Sequence, residues 1–235
     1  MADEAPLLLV STHLPKTAGV SFFSALKQHF PSGLRRDYED VPINTPLRER
    51  ITAAFRHGAA SVGEEFAGVR CIHGHFLPVK YLPMATMRGN VEFITWMRNP
   101  VDRLVSHYRY WKRNFDPGKS QAFHRQVVEE DWSLEKFCLS PRMRNLYGQF
   151  LYAFPLEYFR FIGITEHYEE DLAAFSQHYF GGPAVAERLN VAPSGDRARI
   201  DPGLVRDIEQ FHADDMALYE RALAFRARRV AGGRA

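Results

Sequence analysis

The feature that most constrains the fold is an apolar run that breaks at a small-residue turn and resumes as a helix. Residues 7–10, Leu-Leu-Leu-Val, are apolar without alternation, and Pro15 and Gly19 follow. A segment apolar on both sides of the chain has no face for water, so it fits a strand covered above and below, as in a parallel sheet. Phe22, Phe23, Leu26 and Phe30 then recur at helical spacing until Pro31-Ser32-Gly33 stops the pattern. The unit reads strand, loop, helix.

The unit occurs twice. Residues 91–97 are rich in β-branched and aromatic side chains, and Asn99-Pro100 then supplies a helix cap and a first-turn proline. The helix that follows buries Val101, Leu104, Val105 and Tyr108, while Asp102, Ser106, Arg109 and Arg113 share the opposite stripe. Shorter runs at 69–72 and 159–164 are further strand candidates. Strands alternating with helices predict an α/β fold, a central mostly parallel sheet with helices on both faces. At 235 residues and 46% apolar content, the chain has enough for one core. We expect a single domain over 1–235. Residues 114–158, helical and aromatic, are expected as a lid or acceptor-binding insertion, and Leu204, Ile208, Phe211, Leu218, Tyr219 and Phe225 suggest closing helices.

Charge and cysteine content narrow the function. A net charge of +2 argues against an extended nucleic-acid surface, so anion binding must be local. Cys71 and Cys138 are too few for a disulfide framework and lack zinc-site spacing. The acidic opening and short apolar run at the N-terminus resemble neither a secretory signal nor a membrane span, which predicts a cytoplasmic chain.

The first loop, His13-Leu14-Pro15-Lys16-Thr17-Ala18-Gly19-Val20-Ser21, lies where unpaired backbone N–H groups and the helix dipole form an anion site. Lys16 supplies a positive charge there, and Thr17 and Ser21 offer hydroxyls. The loop predicts a P-loop-like three-layer fold, yet the glycines that precede the lysine in nucleotide triphosphatases are missing. Where those enzymes place a strand-end acid for magnesium, residues 93–97 run into Arg98, and a cation at that point suggests a second phosphate.

The first loop with Phe22, and the segment 98–108, Arg-Asn-Pro-Val-Asp-Arg-Leu-Val-Ser-His-Tyr, together resemble the two nucleotide-binding motifs of the sulfotransferase superfamily. The likeness is strongest to carbohydrate sulfotransferases of the heparan sulfate uronosyl 2-O-sulfotransferase branch. It implies 3′-phosphoadenosine 5′-phosphosulfate (PAPS) as donor and the bisphosphate PAP as product, with no metal required. By that likeness Lys16, Thr17, Ala18, Gly19, Val20 and Ser21 wrap the 5′-phosphosulfate, and Arg98 and Ser106 hold the 3′-phosphate. Val20 departs from the threonine usual there, which removes a hydroxyl but keeps the backbone N–H. Phe161-Ile-Gly-Ile-Thr-Glu166 resembles the family's late strand, and Asn190-Val-Ala-Pro-Ser-Gly-Asp-Arg197 its nucleotide-covering loop, with Ser194 and Arg197 as further contacts.

His73-Gly74-His75 follows an apolar run, and strand alternation points both imidazoles to one side. Read from the residues alone, they are metal ligands, a base with its helper, or two polar residues at a strand end. The resemblance implies a general base, with His75 the first choice and His73 the second, as base or orienting partner. Two rival functions stand beside a sulfotransferase: a P-loop kinase-like enzyme, and a nucleotide-binding module without catalysis. The acceptor is open among sugar, lipid, peptide and small-molecule hydroxyls. Arg109, Lys112 and Arg113 either meet an acidic carbohydrate or form an ordinary solvated face. The arginine-rich end, 226–234, is expected to be a solvated or disordered tail.

Overall fold

The computed structural model describes residues 6–38, 40, 45–61, 66–183 and 200–232. Among them a five-stranded, all-parallel sheet runs in the order β2-β3-β1-β4-β5, formed by β1 Leu8–Thr12, β2 Leu34–Asp37, β3 Cys71–Gly74, β4 Val91–Met97 and β5 Phe159–Ile164. The helices are α1 Gly19–His29, α2 Leu47–Ser61, α3 Leu82–Arg88, α4 Pro100–Arg113, α5 Ala122–Glu129, α6 Leu134–Cys138, α7 Leu146–Phe150, α8 Tyr168–Tyr179, α9 Pro202–Phe211 and α10 Ala213–Val230. All five residues of β1 are buried, as the unbroken apolar run requires of a central strand.

Alternation along the strands builds the three layers. Leu9, Ile94, Trp96 and Phe161 face Phe22, Leu26, Leu172 and Phe175 of α1 and α8. Leu8, Val10, Ile72, Phe93 and Met97 face the opposite core, which takes Leu146, Tyr147 and Phe150 of α7 and Tyr219 and Ala222 of α10. A third cluster packs Val101, Leu104 and Val105 of α4 against Phe123, Trp132, Phe137 and Ile208. Residues 114–158 therefore supply interior side chains along much of their length.

The arginine-rich end differs from expectation. Arg226 Nε and Arg229 Nη2 donate to Asp171 Oδ1 at 2.9 and 2.6 Å, and Asp171 Oδ2 accepts from the Ile164 N–H at 2.8 Å. Asp171 is buried, so its charge must be neutralised in place, and those two arginines seat α10 on α8 and β5. They are structural ion-pair partners.

From β1 the chain runs to β2 at one edge, comes back in to β3, and then crosses to β4 on the other side of β1. Such a reversal leaves a crevice beyond the carboxyl ends of the central strands, where open α/β sheets bind ligands. The β1–α1 loop, the residues after β3 and the β4–α4 turn all open there.

Candidate active site

The β1–α1 loop holds an unusual backbone. Lys16 (φ 67°) and Ala18 (φ 62°) both occupy the left-handed region that side-chain-bearing residues avoid, at about 1 kcal/mol each. Ala18 is also the N-cap of α1 and offers no side-chain hydrogen bond to it, so the Gly19 and Val20 N–H groups at the start of the helix keep their donor capacity for a ligand. Thr17 is turned inward, its hydroxyl donating to the Leu14 carbonyl at 2.8 Å, so it braces the loop from within. Ser21 is buried, whereas Val20 is 53% exposed.

Lys16 Nζ stands 3.9 Å from the centre of the Tyr110 ring. Burial, then the neighbouring Arg98 and Arg113, push its ammonium down to about 8. Three cations crowded around one point repel one another, and an anion bound among them would relieve that repulsion.

The β4–α4 turn is held differently. Asn99 Oδ1 accepts from the Val101 and Asp102 N–H groups at 3.0 and 3.4 Å, the cap expected from the sequence, and Pro100 opens the helix. The Asn99 N–H donates to Glu166 Oε1 at 2.8 Å. The buried Tyr147 hydroxyl accepts from the Arg98 N–H at 3.0 Å and donates to the Arg98 carbonyl at 2.5 Å, clamping that peptide on both sides. The Arg98 guanidinium reaches back across the sheet end, with Nη1 3.5 Å from the Lys16 carbonyl oxygen. Ser106, half-buried, lies two turns along α4. Ser194 and Arg197 lie outside the described residues.

Three imidazoles gather beside the first loop. The His13 ring stacks on His75 at 4.2 Å and on His73 at 5.1 Å between centres. His73 is buried, shares a 2.8 Å hydrogen bond between Nδ1 and Ser11 Oγ, and leaves Nε2 unpaired. Burial foremost, with His75 and Arg36 adding repulsion, pushes it down to about 3, so it stays neutral. His75 is half-buried and donates from Nδ1 to the His13 carbonyl at 2.5 Å. A carbonyl only accepts, so in the neutral ring the proton sits on Nδ1 and Nε2 carries the lone pair. Burial holds His75 below the ordinary imidazole range, opposed by that hydrogen bond. Among the described residues no group of three or more His, Cys, Asp or Glu side chains is arranged to hold a metal ion.

Residues 59–162 match the sulfotransferase domain family. The matched segment runs from α2 into β5 and includes His73, His75, Arg98 and Ser106, while the β1–α1 loop precedes it. Among solved structures, the chain is similar to a sulfotransferase from Alicyclobacillus acidocaldarius, with 16% identity and a TM-score of 0.46 over 91% of this chain and 94% of that one. It is also similar to a mouse sulfotransferase complexed with PAP, with 15% identity and a TM-score of 0.45 over 98% and 90%. No curated protein matches the chain.

Beyond the residues expected from sequence, the site contains His13, Tyr38, Tyr110 and Tyr147. Register brings His13 there: β1 and β3 pair through Thr12 and Gly74, and the ladder continues with the His13 N–H donating to the Gly74 carbonyl at 2.7 Å, which puts His13 and His75 side by side. Arg103 is fully buried, with its guanidinium 5.4 Å from the Tyr147 ring centre and none of its three guanidinium nitrogens hydrogen-bonded.

Proposed function

We propose that this protein moves a sulfuryl group from PAPS to a hydroxyl acceptor. The observation that carries the reading is the convergence of Lys16, Arg98 and the uncapped α1 N-terminus at the end of adjacent strands, with a neutral imidazole beside them. A doubly phosphorylated nucleotide fits that donor set: the α1 N–H groups and Lys16 suit its 5′ end, and Arg98 with Ser106 suits its 3′-phosphate. His75 is favoured over His73 as the base, because His73 is sealed from solvent while His75 is only partly buried and its Nε2 carries the lone pair.

In this account the acceptor oxygen bonds to sulfur as the bond from sulfur to the 5′-phosphate oxygen breaks, and His75 Nε2 takes the acceptor proton. The transfer is in line, so positioning and charge stabilisation do most of the work. Phe150, its ring centre 6.3 Å from that of His75, supports reading residues 114–158 as one wall of the acceptor site. A carbohydrate is the acceptor class favoured by the likeness of His73-Gly74-His75 to the uronosyl 2-O-sulfotransferases.

Radiolabelled transfer from PAPS across a panel of sugar, lipid, peptide and small-molecule hydroxyls tests the reading. His75→Ala is expected to lose about 10²–10⁴-fold in turnover, with PAP affinity by calorimetry retained. Equal loss of both would make His75 structural.

A further inference from the structure

His13 is tied to everything around it. Its Nδ1 lies 3.0 Å from the Tyr38 hydroxyl. Its ring packs so closely over Gly19 that a Cβ there would fall 1.7 Å from Nε2. Its other face stacks on His75, and its own carbonyl receives the His75 Nδ1 proton. One residue therefore touches the first turn of α1, where the donor is to bind, and the imidazole that is to take the acceptor proton.

We propose that His13, braced by Tyr38, is a positioning residue that locks His75 in the Nδ1–H tautomer and holds it in register with the donor loop. This rests on the reading of His75 as the base. The physical content lies in three contacts. The carbonyl fixes which nitrogen of His75 is free. The stack fixes the ring plane. The seat against Gly19 ties both to the start of α1, so donor loop and base share one reference point. When His75 becomes cationic, its Nδ1–H donates a charge-assisted bond to the same carbonyl, and the bond strengthens as the proton arrives.

His13 does not compete for that proton. Burial, then His75, His73 and Lys16, hold it well below the ordinary imidazole range. The Tyr38 phenol, pushed up to about 12 by burial against the opposing pull of Arg36, keeps its proton. The titratable groups facing His75 are thus His13 from the β1–α1 loop, Tyr38 beyond β2, His73 on β3 and His107 on α4, with Lys16 behind His13 and Arg36 behind His73. Arg50 of α2 lies beyond Phe150.

The test is a long-range proton–nitrogen correlation of the ¹⁵N-labelled histidines at neutral pH, with turnover and PAP affinity measured on the same samples. Wild type is expected to show His75 protonated on Nδ1 alone. Tyr38→Phe and His13→Ala keep the His13 carbonyl but remove the brace or the ring that aligns His75 with it, so they should loosen that bond, mix the His75 tautomers and lower kcat by about 10-fold and about 100-fold respectively, the range seen when supporting contacts of a reacting group are removed. PAP affinity should stay within about threefold, because backbone donors and Lys16 are untouched. The acid limb of kcat should move to lower pH, since the bond to the His13 carbonyl raises His75 and a misaligned ring makes it less well. Rescue by His13→Gln, whose amide can again meet Tyr38, would support the bracing role. A wild-type His75 protonated on Nε2, or a tautomer and acid limb unmoved in both variants that melt as wild type does, would overturn the proposal. The nuclear signals do not depend on turnover, so an absence of sulfuryl transfer in wild type would remove the functional reading while leaving the tautomer result readable.

Discussion

The two strand-to-helix junctions at the sheet's carboxyl end are built on opposite principles. At β1–α1 the N-cap is Ala18, in a left-handed conformation and without a side-chain bond, so the helix terminus is left open. At β4–α4 the cap is Asn99, which occupies two first-turn N–H groups, and Glu166 and Tyr147 bind the peptides just before it. The first junction keeps its backbone donors for a ligand. The second uses its own side chains to close the helix and offers Arg98 and Ser106 instead. An open terminus suits the group that changes charge during transfer, since fixed dipoles need no rearrangement. A closed terminus with a long cation suits a phosphate that is only held.

This contrast can be broken from either side. Lys16→Ala should cost the most, about 10²–10³-fold in turnover, as expected for a preorganised donor at a developing charge. A near-normal rate would take the chemistry away from the open junction. A smaller effect comes from pH. Lys16 lies near 8 in the ligand-free protein, so its charge is present below that value and lost above it. PAP affinity should hold up to about pH 8 and then fall by up to about tenfold per unit, and the fall should vanish in Lys16→Ala; a flat profile would place Lys16 away from the phosphate. The smallest effect belongs to the closed junction. Asn99→Ala should lower thermal stability by about 1 kcal/mol and leave PAP affinity nearly intact, and a large loss of binding would show that this terminus also serves the ligand.

Much of this frame could be read from local pattern. The unbroken apolar run at β1, the β-branched and aromatic content of β4 and the Asn99-Pro100 cap are each set by neighbours in the chain, and the two strands and the cap are present in the structure. What escaped depends on register between distant segments. His13 becomes significant only once Thr12 pairs with Gly74, Tyr38 only once its hydroxyl reaches His13, and Tyr147 only once α7 packs under β4. The arginines of α10 misled for a related reason: composition suggests a solvated tail, and the partner that makes Arg226 and Arg229 structural, Asp171, lies more than fifty residues away. Thr17 carries a similar lesson at short range, since its hydroxyl serves the loop from inside.

The division of labour between the junctions is tested most directly by calorimetric affinities of PAP and adenosine 5′-phosphate for wild type and Arg98→Ala. The two ligands differ only in the 3′-phosphate, and charge-assisted bonds to such a group are worth about 1.5–3 kcal/mol each. We expect wild type to prefer PAP strongly and Arg98→Ala to lose most of that preference while binding adenosine 5′-phosphate about as before. A preference for PAP that survives the substitution undiminished would contradict the assignment of the second junction.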